Sequence, residues 1–316
     1  MSQFTYKVTE KDKGLPIKDL VRTKFSFSSR LLSKLKRQEL ILCDGKSIPL
    51  WIVPPEGSVI TIFLPHEKSD FEPENIPISV VYEDEHILII DKQPGIVVHP
   101  TKGKPCHTLA NGLMNKMINE GKNYKIRFVN RLDMNTSGLL IVAKNSHSQD
   151  ELTRQMKLGQ VAKRYKAIVV NPPSEDEGTI DKPIGRPDPE EVERWILDES
   201  AGGYPSVTHY KILERFVKYG LIELSLETGR THQIRVHLSS IGSPILGDHL
   251  YSHGDPFEYR KKHGELRVEI VSNLIGRQAL HAFYLSFLHP VSGERMEFSS
   301  PLPADIASAI DKIKLL

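Results

Sequence analysis

Apolar residues change their spacing from one stretch of the chain to the next, and the changes mark the elements. Leu31, Leu32 and Leu35 recur at i, i+1 and i+4 among basic residues, with Ser28 or Ser29 ahead of them as a cap. This predicts an amphipathic helix through Arg37, with an earlier helix starting near Lys18. The apolar runs 40–43 and 59–63, with Asp44-Gly45 as a turn, predict short strands. Residues 65–77 are acidic, contain prolines and hold few apolar side chains, the composition of a linker. Beyond Ile78, short apolar runs at 80–82, 87–90 and 95–98 alternate with turn residues, as paired strands do. Helices are expected over 109–120, ended by Gly121, over 147–158, ended by Gly159, and over 304–313. Further strands are expected on both sides of a polar insertion within 128–145, and over 163–170 and 220–226. The irregular stretch 171–204 reads as an insertion across the surface. Strands and helices mix without regular alternation. The expected fold is therefore α+β, a mostly antiparallel mixed sheet with flanking helices, preceded by a small α+β domain. The expected division is 1–66, a linker at 67–77, and 78–316.

Composition narrows the class. A 316-residue chain that is 39% hydrophobic and 26% charged can bury a core, which excludes global disorder. No apolar run approaches the ~18–20 residues of a membrane span. The first thirty residues carry charge throughout, without the apolar centre of a secretory signal. Two cysteines, Cys43 and Cys106, are too few for a disulfide scaffold or a four-cysteine zinc site. A cytoplasmic monomer is the expectation. The net charge of +2 is unevenly spread: residues 1–66 hold eleven Lys or Arg against six acids, a net +5 that leaves −3 for the rest. A basic appendage on a near-neutral body fits a nucleic-acid footprint, and fits a set of solvated helix faces as well.

Three polar motifs in the second part are candidates for chemistry. Asn130-Arg-Leu-Asp-Met-Asn-Thr-Ser-Gly138 precedes an apolar strand and places Arg131 and Asp133 at a sheet edge or cleft floor. A turn in which Asp133 merely bonds nearby amides explains the same residues. Lys163-Arg-Tyr-Lys-Ala167 opens a strand in which Tyr165 faces away from Arg164 and Lys166, an arrangement that strand packing alone also gives. Thr228-Gly-Arg-Thr-His-Gln-Ile-Arg-Val-His237 leads into Gly242-Ser-Pro-Ile-Leu-Gly-Asp248. Thr231 is the expected N-cap of a short helix over 232–240, with Arg235 about one turn in. His232 and His237, at i and i+5, do not share a helical face as metal ligands would. Gly45-Lys46-Ser47 lacks the first glycine of a phosphate loop, Cys106-His107 lacks the paired cysteines of a zinc deaminase, and no G-x-G-x-x-G occurs.

Together the three motifs resemble the RluA-type RNA pseudouridine synthases, which isomerise uridine in ribosomal and transfer RNA. The family pattern HRLD-x-x-TSG-LL reads here as Asn130-Arg-Leu-Asp-Met-Asn-Thr-Ser-Gly-Leu-Leu140, and TGR-[TS]-HQ-[IL]-R-VH with the following G-x-PI-[LV]-GD-x-x-Y runs from Thr228 to Tyr251. The resemblance covers 78–316. It implies that Asp133 is the catalytic aspartate, Tyr165 the active-site tyrosine and Arg235 the basic partner of the aspartate. Ile234 matches the apolar lining of the base pocket, and Arg131 the arginine that fills the space of a flipped nucleotide. Thr136, Arg230, His232 and Gln233 in the same motifs are expected to contact substrate. Asn130 replaces the family's histidine, which bears on the hydrogen bonding of the loop. The first part resembles, more loosely, the S-four-type RNA-binding module, departing at Gln38-Glu39 where a glycine commonly ends the helix.

The implied reaction breaks the bond from ribose carbon 1′ to the base nitrogen, rotates the base and rejoins it through carbon 5. No group enters or leaves and nothing is oxidised, so neither a metal nor another cofactor is expected. One ionised carboxylate suffices, as nucleophile on carbon 1′ or as base on the 2′ hydrogen, with Arg235 keeping it ionised and oriented. Tyr165 would stack on the uracil, and in the family it is also suggested to help remove the carbon 5 proton. The expected partner is large-subunit ribosomal RNA, with transfer RNA the alternative. Two other readings compete: a non-catalytic RNA-binding ribosome-assembly factor, and a glycosidase-like enzyme needing a second carboxylate, for which only Asp248 stands near.

Overall fold

A computed structural model describes residues 3–25, 27–65, 67–101, 103–188, 190, 192–251 and 274–316. The chain begins with β1 (Gln3–Lys7), α1 (Ile17–Phe25), α2 (Ser29–Arg37), β2 (Ile41–Cys43), β3 (Lys46–Ser47) and β4 (Val59–Phe63). The strands pair antiparallel in the order β1-β4-β2-β3. Leu20 and Val21 of α1 and Leu31 and Leu35 of α2 pack against Ile41, Ile60 and Ile62. Ser28 caps α2 by accepting the Leu31 N–H at 3.2 Å. Where a glycine commonly ends this helix, Glu39 itself takes a φ of +53°. That left-handed turn costs about 1–2 kcal/mol in a residue with a Cβ.

Residues 67–78 lack regular structure but are strapped to the larger part of the chain. Ile126 N–H donates to Ser69 Oγ at 2.8 Å, Asn111 Nδ2 to the Glu72 carbonyl at 2.8 Å, and Phe71 packs against the larger core. Then come β5 (Ser79–Glu83), β6 (Ile87–Lys92), α3 (Leu109–Asn119), β7 (Arg127–Phe128), β8 (Ser137–Ala143), α4 (Ser146–Lys157) and β9 (Ala162–Val170). Next are β10 (Glu177–Asp181), β11 (Ile184–Gly185), β12 (Trp195–Ile196), β13 (Val207–Arg215), β14 (Tyr219–Leu226) and α5 (Gln233–Ser240). β15 (Leu280–Leu288), β16 (Arg295–Ser299) and α6 (Ala304–Lys314) complete the order.

Ten of the described strands of this part build one large sheet in the order β10-β13-β14-β9-β15-β8-β6-β5, with β16 added to β15 and β7 to β8, while β11 and β12 pair with each other in a separate two-stranded sheet. All its pairings are antiparallel except β15 with β8. The two-residue alternation of a strand divides its core. Leu88, Ile90, Leu140 and Val142 face one side with α3, α5 and α6, while Ile87, Ile89, Leu139 and Ile141 face the other with Leu152 of α4. The α+β fold with a largely antiparallel sheet is as the sequence predicts. Among the described residues, no helix is long and apolar enough to cross a membrane.

Two expectations are corrected. Residues 95–98 form no strand: Gly95 turns at φ +89° and only Val97 makes a bridge, to Thr108. The stretch 171–204 is not all surface insertion, because β10 pairs with β13 along the edge of the large sheet.

Candidate active site

The loop carrying Asp133 is pinned from several sides. Asn130 turns its Oδ1 to accept the Ile141 N–H at 2.8 Å, so this replacement of histidine stitches the loop to β8. Lys92, at the end of β6, is fully buried and donates to the carbonyls of Gln93, Ile96 and Met134 at 2.9, 3.0 and 3.0 Å. Three acceptors match the three N–H bonds of an ammonium. Burial nonetheless pushes Lys92 down to about 7, against the opposing pull of Asp133. On the other side Arg277 donates to the Asn135 carbonyl at 2.9 Å and grips Asp305 of α6 at 2.7 and 3.0 Å. The Thr136 N–H closes the turn onto the Asp133 carbonyl at 3.1 Å. β8 then runs hard against β15: a Cβ on Gly138, whose φ is +114°, would lie 2.3 Å from the Ala282 oxygen.

The opposite wall is the turn from β14 into α5. Thr231 is not the helix cap, as the sequence predicts it to be; His232 occupies that position with a left-handed φ of +59° and gives no side-chain cap. Gln233 holds the turn instead. Its Oε1 accepts from the Thr228 hydroxyl at 2.8 Å and the Arg230 N–H at 2.9 Å, and its Nε2 donates to Val207 O and Thr208 Oγ1 at 2.9 and 3.1 Å. His232 Nε2 stands 3.9 Å from Asp133 Oδ2, and its Nδ1 is 2.8 Å from the Tyr251 hydroxyl. That hydroxyl also accepts the Arg194 N–H at 2.7 Å. Burial lowers His232 to about 4 despite the charge of Asp133, which keeps it neutral.

Arg235 joins the two walls. Its Nε and Nη2 take both oxygens of Asp248 at 2.7 and 2.9 Å, and its Nη1 reaches Asp133 Oδ2 at 3.1 Å. Burial opposes the guanidinium charge. The hydrogen bond and charge of Asp248, with the charge of Asp133, outweigh it and raise Arg235 above its usual value, so the group stays cationic. Tyr165 of β9 is buried on the face opposite Arg164, as the alternation predicts. Burial first, then the charge of Asp133, pushes its phenol well above the usual range. Tyr165 is thus a protonated ring at neutral pH, suited to stacking or to donating a hydrogen bond, and must ionise before it can take a proton.

Arg131, Asp133, Thr136, Tyr165, Arg230, His232, Gln233, Ile234 and Arg235 line one cleft of about 60 Å³, with Leu132, Leu226 and Leu280. They differ in what they have left to offer. Gln233 spends its amide on the protein, and the Thr136 hydroxyl accepts from Gln278 Nε2 at 3.3 Å. Arg230 lies exposed over the Tyr204 ring at 5.3 Å, and Arg131 is exposed. Lys92 and Tyr251 are not singled out by the sequence pattern, and Asp248 enters it only as a conceivable second carboxylate. Asp248 and Tyr251 lie inside the long motif, which was the available signal. Asp248 has no side-chain exposure and sits behind Arg235. Among the described residues one carboxylate therefore reaches the cleft, and they do not build the pair a glycosidase needs on either side of its substrate. Elsewhere, Glu74, Cys106 and His107 bring three ligand-type atoms within 4.8 Å at the surface, but Glu74 already bonds the His107 ring and backbone N–H.

Comparison with known proteins places the chain among its relatives. A family model described as RNA pseudouridylate synthase matches residues 86–240. The chain is 38% identical over 288 residues to ribosomal large subunit pseudouridine synthase D of Neisseria meningitidis serogroup B, covering 91% of this chain and 75% of the relative. It is 35% identical over 319 residues to the uncharacterized RNA pseudouridine synthase YlyB of Bacillus subtilis, covering 99% of each. Among solved structures, human RNA pseudouridylate synthase domain containing 4 superposes with a TM-score of 0.60 at 25% identity, covering 75% of this chain and 93% of that one.

Proposed function

Because the chain belongs to the RNA pseudouridylate synthase family, and so is an isomerase that converts uridine to pseudouridine in RNA, we propose that it acts on large-subunit ribosomal RNA through Asp133. One observation carries the assignment of the residue: Arg235, locked on Asp248, presents an Nη1 N–H to Asp133 at 3.1 Å on the wall of a cleft that also holds Tyr165. The target uridine leaves its stack, at a cost of a few kcal/mol, and lays its uracil against Tyr165 and Ile234 with the ribose over Asp133. The carboxylate works on the ribose, at carbon 1′ or on the 2′ hydrogen, and the bond from carbon 1′ to N1 breaks. The uracil turns within the pocket, carbon 5 joins carbon 1′, the carbon 5 proton is lost and N1 gains one. Arg235 holds the carboxylate in place through these steps, and its buried cation balances the charge that Asp133 gains and loses. Arg131 and Arg230, exposed at the mouth, serve the displaced strand.

The ribosomal target is supported by the names of the relatives from Neisseria meningitidis and, at 41% identity, Xanthomonas campestris. It is supported also by the basic first part, residues 1–66, which we take as an S-four-like RNA-binding module joined to the catalytic part 78–316. We take the working form as a cytoplasmic monomer. The test is to incubate the protein with unmodified transcripts of large-subunit ribosomal RNA and, separately, of transfer RNAs, and to map pseudouridine by carbodiimide adducts that stop reverse transcription. New stops in the ribosomal transcript alone are expected. Stops in transfer RNA alone would overturn the ribosomal assignment.

A further inference from the structure

We infer that the groove between α2 and the segment 125–131 holds a single-stranded stretch of RNA flanking the target uridine. The inference rests on the proposed action on RNA and adds where the rest of the strand lies. The groove has a volume of about 770 Å³, against about 60 Å³ for the catalytic cleft, and Arg131 lines both, so the two are neighbours. α2 contributes Arg30, Lys34 and Arg37 to one wall; Lys125, Arg127 and Arg131 form the other. The two acids of the groove are already engaged. Glu67 bonds Lys34 at 2.9 Å and also Arg127, and Asp150 accepts the Ser28 hydroxyl at 2.6 Å. The side chains of Arg30, Arg37, Lys125 and Arg131 make no ion pair or hydrogen bond among the described residues, which leaves four cations for an external anion.

The lining chemistry says which polyanion fits. His99 and Phe128 lie in the same groove, their rings 5.8 Å apart and tilted by 67°. Aromatic rings beside a row of cations suit a strand whose bases are free to stack; a duplex offers its phosphates but hides its base faces. The groove is also preformed. Glu67 and Asp150 tie α2 to the large sheet and α4, and His147 at the start of α4 packs on Phe27 and Phe4 at 4.7 and 5.3 Å between ring centres. Binding then spends little on ordering the first part against the second.

The test uses the full chain and two substrates transcribed with 5-tritiated uridine: the target stem-loop alone, and the same stem-loop with single-stranded flanks. Arg30→Glu with Arg37→Glu changes two exposed positions of α2. Lys218→Glu with Lys312→Glu is a matched reversal outside the groove. For the flanked substrate, the groove variant is expected to raise KM about tenfold with kcat unchanged, and to flatten the log–log salt dependence of binding by ~1.4, at ~0.7 per lost phosphate contact. Its effect on the bare stem-loop is smaller than on the flanked RNA, and the control pair changes neither. His99→Ala weakens binding of the flanked substrate by about tenfold without changing the salt slope, because it removes a stacking surface and no charge. An unchanged KM and slope on flanked RNA, or an equal loss on the bare stem-loop, overturns the inference. If no protein releases tritium from either RNA, the proposed function fails on its own, and the salt slope of binding still decides the groove.

Discussion

Replacing Asp248 with asparagine isolates what a buried carboxylate does for Arg235, which it touches from behind. Asp248 accepts four N–H groups: Nε and Nη2 of Arg235 at 2.7 and 2.9 Å, and the backbone of Leu250 and Tyr251 at 3.0 and 3.2 Å. An amide keeps one accepting oxygen. If that oxygen keeps Nη2 and the two backbone bonds, the amide N–H₂ faces the Nε–H donor to donor. Turned the other way, it loses three bonds instead of one. An unpaired buried donor costs ~1–3 kcal/mol, and removing one partner of a buried ion pair costs ~3–5 kcal/mol. Because the amide preserves most of the bonds, a destabilisation of about 2–4 kcal/mol is expected. At ~2.1 cal/mol/K of unfolding entropy per residue, a chain of this size loses ~1.5 °C per kcal/mol, so Tm falls by roughly 3–6 °C. Arg235 is then left with Asp133 as its main counter-charge and shifts toward it, and a displacement of ~1 Å at a catalytic group costs about 100-fold. Tritium release measured over a range of RNA concentrations should therefore show kcat down about 100-fold with KM nearly unchanged. A kcat within a factor of about two of wild type, at normal KM, would refute the positioning role.

Three further outcomes rest on the same geometry. Lys92→Met leaves the carbonyls of Gln93, Ile96 and Met134 without their donor; urea unfolding should show a loss of at least ~3 kcal/mol, at ~1–3 kcal/mol per orphaned acceptor, and unchanged stability would contradict the clamp. Gly138→Ala places a Cβ 2.3 Å from the Ala282 oxygen at φ +114°, so thermal melts should show more than about 3 kcal/mol of destabilisation or no folded protein at all. His147 and His232 are held near 4 by burial, below the ~6.5 of the unfolded chain. Between those values the unfolded chain holds protons the folded one does not. The stability they contribute is complete above pH ~6.5 and is lost as pH falls toward 4, by up to ~1.4 kcal/mol per unit for each. His232→Gln should flatten that slope, and an identical slope would mean that the ring is not buried neutral.

The most regular elements were legible because their signals were local. α2 has its apolar face and Ser28 cap, α4 ends at Gly159 with a φ of +67°, and β6 and β8 are buried on both faces and so read as unbroken apolar runs. β1, β13 and β16 went unread because one face of each is exposed, so residues such as Thr5, Lys211 and Glu297 break the apolar pattern. β10 was hidden in a stretch whose only reward for being a strand is the distant edge of β13. At the site, the motifs located every polar residue lining the cleft among those described, yet not how they are held. The Lys92 clamp spans 42 residues to Met134, and a left-handed His232 at a helix start violates the capping preference that pointed to Thr231. Both depend on tertiary contacts that no local spacing encodes.

The central claim is that Asp133 carries out the isomerisation. The most direct measurement is tritium release from a large-subunit ribosomal RNA transcript made with 5-tritiated uridine, using wild-type protein and Asp133→Asn. This substitution keeps the size of the side chain and an acceptor for the Arg235 N–H. The account predicts release by wild type and none by the variant, with RNA binding retained by both. Release by Asp133→Asn at the wild-type rate would contradict it.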